Sequence, residues 1–134
     1  MRIVNFETAK TLFETFPNLK WKNWDETYYI YTKDTKELLH ISEQKADEYL
    51  INKNFYPAPI IQSVIDFLEK EHKWSIYITP RFDGWDNAQI DTYYEIYKTG
   101  CAGGKDYSSD AHVGDRWESA NRAIIEVCNL IKKE

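Results

Sequence analysis

Residues 115–133, DRWESANRAIIEVCNLIKK, decide the fold because they hold the clearest helical pattern in the sequence. Asp115 and Glu118 resemble a capping box, in which side chains satisfy the free backbone N–H groups at a helix start. Lys132 and Lys133 lie at the negative end of the helix dipole. The apolar residues recur at helical spacing and are Trp117, Ala120, Ile124, Val127, Cys128 and Ile131. We therefore predict a final helix that is central to the core.

Two strands are predicted ahead of this helix. Residues 73–79 are rich in β-formers, and Pro80 favours either the end of that strand or a place at a sheet edge. Residues 89–98 have an apolar spacing that also fits a helix, but their tyrosines and threonine, with glycine following closely, favour a strand. Asp83 and Gly84 indicate a turn between the two strands.

The N-terminal part of the sequence predicts a helix and a hairpin. Asn5 can cap a helix over 5–16, in which apolar residues recur at helical spacing. Residues 27–32 and 37–41 are rich in β-formers and are separated by four polar residues. This pattern predicts two antiparallel strands joined by a short turn.

A second main helix is predicted to end near His72, with Pro57 and Pro59 at its entrance, where proline is tolerated. The polar segment 42–54 has the composition for a short helix. Together, these elements indicate a single α+β domain over 1–134. We expect an antiparallel sheet of four or more strands with about three helices packed on one face of it.

The composition restricts the class of protein. The chain has 134 residues, a formal net charge of −5 and 16% aromatic residues, and both of its halves are mildly acidic. This charge balance argues against a nucleic-acid binder of the basic-stripe kind. The sequence shows neither a signal peptide nor an apolar run of bilayer length, so we predict a cytoplasmic protein without membrane contact.

The glycine-rich loop TGCAGGKD, residues 99–106, does not match a catalytic motif. A phosphate-binding loop needs a glycine six residues before its lysine and a hydroxyl residue after it, but Lys105 is preceded there by threonine and followed by Asp106. Cys101 and His112 are the nearest thiol and imidazole, and a small enzyme that uses them remains an alternative. The sequence predicts no catalytic residue and no cofactor, and favours a noncatalytic protein.

The acidic and histidine residues around this loop do not form a metal motif. Their spacing fits neither an EF-hand loop nor a zinc site. The residues concerned are Asp106, Asp110, His112 and Asp115. We therefore predict a solvated loop and no metal site.

The predicted strands offer a more informative candidate for binding. Alternation places the aliphatic residues of both strands on one face and leaves tyrosines on the other, where they can supply a rigid binding platform. The candidate binding residues are Tyr77, Trp85, Tyr93, Tyr97, Asp83, Asp86, Asp91 and Glu95. In the simpler interpretation, these tyrosines pack against the N-terminal hairpin, whose Tyr29 and Tyr31 alternate away from Ile30.

The sequence after residue 57 is also compatible with two further binding functions. The acidic residues near Trp85, with no Lys or Arg from Asp83 to Glu95, suit an inhibitor that mimics DNA phosphates. The order of elements after residue 57 resembles a double-stranded-RNA-binding domain if a third strand comes from 99–114. That segment is poor in β-formers, and the acidic charge makes a nucleic-acid partner unfavourable.

The chain resembles a group of small uncharacterised proteins from Bacteroides-type gut bacteria and their phages or mobile elements. The resembling segments are Asn5-Phe-Glu-Thr-Ala-Lys10, Tyr56-Pro-Ala-Pro-Ile-Ile-Gln62, Phe67-Leu-Glu-Lys-Glu-His72, Ile76-Tyr-Ile78 and Trp117-Glu-Ser-Ala-Asn-Arg-Ala-Ile124. The group brings no known activity, so no site residue is implied. The resemblance and the missing catalytic motif predict a noncatalytic accessory protein that binds an unidentified protein partner.

Overall fold

The computed structural model describes residues 2–17, 27–42, 45, 54–82, 84–85, 89–98, 106–108 and 114–134. Helices in these residues are α1 (Phe6–Thr15), α2 (Ile61–His72) and α3 (Arg116–Lys133). The strands are β1 (Thr27–Thr32), β2 (Leu38–Ser42), β3 (Phe55–Pro57), β4 (Trp74–Phe82), β5 (Gln89–Lys98) and β6 (Asp106–Ser108). The predicted α+β class with three helices is confirmed. Among the described helices, none combines the length and the apolar character that crossing a membrane requires.

The strands pair in two antiparallel sheets of three, in the orders β2-β1-β3 and β4-β5-β6. Within the described ranges, no ladder joins them into the single sheet of four or more strands that the sequence predicted. The chain divides into two compact units, residues 1–63 and 64–134. The predicted helix within 42–54 lies almost entirely outside the described residues.

The first sheet contains the predicted hairpin and one strand that was not predicted. β1 pairs with β2 over Thr27–Tyr31, as the hairpin prediction requires. β3 pairs with the other side of β1, with Pro57 opposite Ile30. The placement of Pro57 at a helix entrance was therefore wrong. An edge strand tolerates proline because one side of its backbone has no ladder partner to bind.

Helix α1 packs against the first sheet through aromatic rings. The Asn5 side chain accepts a hydrogen bond of 2.9 Å from the Thr8 backbone N–H, which confirms the predicted cap. The ring of Phe6 makes edge contacts with Tyr31 and Tyr56, at centroid distances of 5.7 and 5.6 Å. Because Ala9 is fully buried as well, α1 contributes its apolar side to the packing of this unit.

The second unit contains most of α2, a three-stranded meander and α3. β5 has the predicted bounds, whereas β4 continues through Pro80 to Phe82. Pro80 lies in an edge strand, so the second of the two interpretations of this proline is confirmed. A short third strand, β6, comes from the segment that is poor in β-formers and pairs with β5. The element order from α2 onward is consequently α-β-β-β-α.

Helix α3 covers one face of the second sheet. Ile124 and Val127 are fully buried, as is Ile96 of β5, and all three lie on the predicted apolar side of their elements. Asp115 caps the helix by accepting hydrogen bonds of 2.9 Å from the backbone N–H groups of Trp117 and Glu118. The predicted core role of the final helix is therefore confirmed.

A buried polar contact holds the start of α3 against the middle strand. The Thr92 hydroxyl hydrogen-bonds the Ser119 hydroxyl and donates to the Asp115 carbonyl at 3.1 Å. The Thr92 backbone N–H donates to the Gly114 carbonyl, also at 3.1 Å. These bonds fix the position at which the helix begins.

Candidate functional site: the tyrosine face of the second sheet

The tyrosine face is the side of β4 and β5 opposite α3. Thr92 and Tyr94 point toward the helix, because their hydroxyls bond Ser119 and Glu126. Since side chains alternate along a strand, the residues at odd-numbered positions lie on the other side. These residues are Ser75, which is buried at the start of β4, and then Tyr77, Thr79, Arg81, Asp91, Tyr93, Glu95 and Tyr97. The structure thus brings five of the eight predicted binding residues together on one face.

The centre of the tyrosine face is an aromatic pair. Tyr77 is 56% exposed, although it lies within a regular strand. Its ring contacts the edge of Tyr97 at a centroid distance of 5.6 Å and an interplanar angle of 69°. The Tyr97 hydroxyl donates a hydrogen bond to the Glu95 carboxylate, and Glu95 lies directly opposite Tyr77 in the ladder. The pair therefore has a defined geometry and an accessible surface.

An ion pair occupies the end of the face nearest the β4–β5 turn. Arg81 donates from Nε to Oδ1 of Asp91 at 2.8 Å and from Nη2 to Oδ2 at 3.0 Å. The two residues are direct partners in the ladder. This hydrogen bond to Asp91 raises the pKa of the Arg81 guanidinium. The carboxylate of Asp91 is thus compensated by a fixed cation.

The turn between β4 and β5 presents a second exposed aromatic group. Gly84 and Trp85 lie in the turn, and Trp85 is 98% exposed. Phe82, the last residue of β4, is 54% exposed. The pairing shifts by one residue here: Arg81 pairs with Asp91, but Phe82 pairs with Gln89. Such a shift is typical of a β-bulge, which bends a strand and changes its twist.

Of the remaining predicted residues, one lies within the described part of the chain and the others do not. Tyr93 lies on the tyrosine face and is half-buried. Asp83 and Asp86 of the acidic set, and Cys101 and His112 of the enzyme alternative, fall outside the described residues. Across the part of the chain that the structure describes, no three His, Cys, Asp or Glu side chains form a group suited to a metal ion.

Sequence reasoning placed Arg81 on the same face as Tyr77 but did not predict it as a binding residue, and it did not identify Phe82 as an exposed aromatic residue. The odd position of Arg81 was visible in the alternation, but its pairing with Asp91 depends on the register of the β4–β5 hairpin. Phe82 was not considered because the strand was expected to end near Pro80.

Comparison of this chain with protein-family models, with curated proteins and with solved structures finds no match.

Proposed function

We propose that this chain is a noncatalytic protein-binding protein and that the tyrosine face, together with the turn at Trp85, is its binding surface. The observation that carries the proposal is the exposed ring of Tyr77 held against Tyr97. Tyrosine offers a large apolar contact area with a polar tip and has few rotatable bonds, which suits it to protein interfaces.

The rigidity of the aromatic pair supports this function. Tyr77 and Tyr97 project from paired strands, and the Tyr97 hydroxyl is bound to Glu95. A partner that covers these rings has little side-chain freedom to remove, so less of the binding free energy is lost to ordering.

The charges on the face also suit a protein interface. Arg81 and Asp91 form a bidentate pair beside the tyrosines and leave that part of the surface polar without a large net charge. Protein interfaces commonly have an aromatic centre with polar groups at the rim. This arrangement of charges and aromatic rings suits a folded protein partner better than a nucleic acid.

The acidic DNA-mimic alternative receives less support from the same contacts. Mimicry of phosphates needs carboxylates that present their charge to a basic groove. Asp91 is instead compensated by Arg81, and Glu95 accepts the hydroxyl of Tyr97. Two of the four carboxylates in the segment from Asp83 to Glu95 are therefore engaged within the sheet.

The role as an accessory protein of a phage or mobile element rests on the resemblance described above. In that setting the partner is a protein of the host or of the element. The resemblance concerns fold-forming segments and says nothing about the chemistry of the partner. The exposed aromatic side chains Tyr77 and Trp85, rather than the resemblance, support the position of the binding surface.

The test compares Tyr77→Ala with Leu38→Ala in affinity capture from a native lysate, followed by titration of the purified retained protein by calorimetry. Leu38 is a matched control because it is also an exposed apolar strand residue, 44% exposed, in the first unit. We expect Tyr77→Ala to weaken binding at least about tenfold, as for a central interface aromatic. Equal affinity of Tyr77→Ala and the parent would refute the proposal.

A second candidate function is binding of double-stranded RNA, and the observation that favours it is β6. This strand completes the α-β-β-β-α order that a double-stranded-RNA-binding domain has, although a fold does not by itself imply a function. The exposed cations of α3 are Arg116, Arg122, Lys132 and Lys133. An electrophoretic shift of duplex RNA at low salt that weakens in Arg122→Gln would support this function, and no shift would exclude it.

A further inference from the structure

β4 is an edge strand whose outer side carries backbone groups that its own sheet does not use. β4 pairs with β5, and no other strand of the described residues pairs with it. The Thr92 backbone N–H donates to the Gly114 carbonyl rather than to Pro80, its ladder partner in β4. Because hydrogen-bonded and non-hydrogen-bonded pairs alternate along an antiparallel ladder, Ile76 and Ile78 also belong to non-hydrogen-bonded pairs. Their backbone N–H and C=O groups therefore point to the outer edge.

The first part of β4 lacks the features that normally protect an edge strand. Proteins prevent edges from pairing with other chains by short strands, proline, charged side chains or a bulge. The opposite edge strand, β6, has only three residues, whereas β4 has nine. In β4 the protective features all lie near its end, at Pro80, Arg81 and the register shift before Phe82. Residues 74–79 contain no proline and no charged side chain, so the edge before Pro80 is open to pairing.

A second copy of β4 is complementary to this edge. In an antiparallel pair centred on Tyr77, Ile76 of each copy lies opposite Ile78 of the other, and both N–H and both C=O groups of each facing pair are satisfied. A pair centred on Ile78 would instead place Pro80, which has no N–H, opposite Ile76 and lose hydrogen bonds. The position of the proline therefore selects the arrangement centred on Tyr77.

The side chains along this edge also favour a second copy. Tyr77 is 56% exposed, and in this arrangement it lies opposite Tyr77 of the other copy. Side chains approach most closely at such a non-hydrogen-bonded position, where aromatic pairs are favourable. The net charge of the chain is −5, but residues 74–79 bring no like charges together. An unrelated extended segment would form the same backbone bonds, whereas the aromatic pair arises from the symmetry of two identical strands.

We infer that two copies of this chain pair through the outer edges of β4, antiparallel and centred on Tyr77, and so form one continuous sheet. The α3 helices of both copies lie on one face of that sheet, and the two tyrosine faces adjoin on the other. This inference goes beyond the proposed function, because it assigns a partner to the edge of the sheet rather than to its face.

The test is sedimentation equilibrium of the purified chain, with the fold of each variant checked by circular dichroism. We expect a dimer with a Kd on the order of 100 µM, because so short a pairing buries less area than a stable interface. Tyr77→Lys and Tyr77→Glu should each weaken dimerisation at least about tenfold, since like charges then face each other, and an equal mixture of both should restore it. Leu38→Lys, in the edge strand β2 of the first sheet, is the control and should leave dimerisation unchanged.

Hydrogen exchange followed by NMR tests the same edge without a substitution. The backbone N–H groups of Ile76 and Ile78 should exchange more slowly at about 1 mM protein than at about 10 µM, because the second copy then binds them. The control is the N–H of His40, which lies in β2 opposite Tyr29 in a non-hydrogen-bonded pair. Its exchange should not depend on protein concentration.

A monomer at every concentration up to about 1 mM, or equal exchange of Ile76 and Ile78 at both concentrations, would overturn the inference. A mixture of Tyr77→Lys and Tyr77→Glu that stays monomeric would do the same, as would loss of the dimer in Leu38→Lys. None of these outcomes bears on the tyrosine face as a binding surface for another protein, because the purified chain contains no other protein.

Discussion

The aromatic surfaces of the two sheets differ in what lies over them. In the first unit, the rings of Tyr31 and Tyr56 are contacted by Phe6 of α1, and the Tyr31 hydroxyl donates to the Val4 carbonyl at 2.7 Å. Burial raises the pKa of Tyr31 accordingly. In the second unit, Tyr77 keeps more than half of its surface exposed, on the side of the sheet opposite α3. High aromatic content therefore has two different physical roles within one chain.

The hydrogen bonds of the two surfaces follow the same division. Tyr31 bonds to a backbone group from a distant part of the sequence and so ties two segments together. Tyr97 bonds to Glu95, two residues away on its own strand, and so fixes only its own ring. Contacts of the first kind stabilise a fold, whereas contacts of the second kind arrange a surface. Stability measurements can separate the two roles.

The largest effect is expected on the covered side of the second sheet. Ile124→Ala removes a fully buried side chain of α3 and leaves a cavity, which should lower the free energy of unfolding by about 2–5 kcal/mol. Urea denaturation followed by circular dichroism measures this change. A variant as stable as the parent would show that α3 is not central to the core.

The second-largest effect on the free energy of unfolding is expected for the aromatic cluster of the first unit. Phe6→Ala removes two edge contacts, each worth about 0.5–1.5 kcal/mol, so we expect a loss of about 1–3 kcal/mol. Lys10→Ala, an exposed change on the same helix, serves as the control and should be nearly neutral. If the two variants were equally stable, the rings over the first sheet would not be stabilising it.

Tyr94 joins the covered face of the second sheet to α3, and its effect should depend on pH. Burial, and then the hydrogen bond to Glu126, raise the pKa of Tyr94. Because the unfolded tyrosine ionises near pH of about 10, stability falls above that pH by up to about 1.4 kcal/mol per unit until the folded group also ionises. Below pH of about 9, Tyr94→Phe should lose about 0.5–1.5 kcal/mol from the missing hydrogen bond.

Above pH of about 10, Tyr94→Phe should lose stability less steeply than the parent, so the two curves should converge. Tyr31 is retained in both proteins and contributes the same downward slope to each. Urea titrations at several pH values measure the two slopes. Parallel curves from neutral to alkaline pH would contradict the assignment of this dependence to Tyr94.

The smallest effect on stability is expected on the tyrosine face. Tyr77→Ala removes a largely exposed ring with one aromatic contact and should change the free energy of unfolding by less than about 1 kcal/mol. Its thermal melting curve should therefore nearly overlay that of the parent. A loss as large as that of Phe6→Ala would mean that Tyr77 belongs to the core, as in the simpler interpretation of the sequence.

Local patterns predicted most of the elements. The cap at Asn5, the hairpin of β1 and β2, and the bounds of β5 depend on neighbouring residues, which a sequence displays directly. β3 and β6 are three-residue strands that exist because longer strands offer them free edges. The composition of these two short segments does not predict a strand. The division into two sheets likewise depends on pairing between residues that are distant in the sequence, which local patterns do not show.

The candidate site was predictable to a similar extent. Alternation placed Tyr77, Tyr93 and Tyr97 on one face without knowledge of any contact. The pairing of Arg81 with Asp91 depends on hairpin register, and the exposure of Tyr77 depends on which face the helix covers. Neither this pairing nor this exposure follows from the spacing of residues in one strand.

The contact between Thr92 and Ser119 limits the number of alternative structures that the chain can adopt. An apolar helix can slide or rotate on an apolar sheet at little expense, because hydrophobic burial has no direction. A buried hydroxyl finds a hydrogen-bond partner at few places. Displacement of α3 by one turn would therefore leave the hydroxyls of Thr92 and Ser119 buried without a hydrogen bond to each other. A chain with valine and alanine at the two positions would retain its apolar contacts, but several helix positions would then become nearly equal in energy. The two hydroxyls thus give the second unit uniqueness of structure rather than strength.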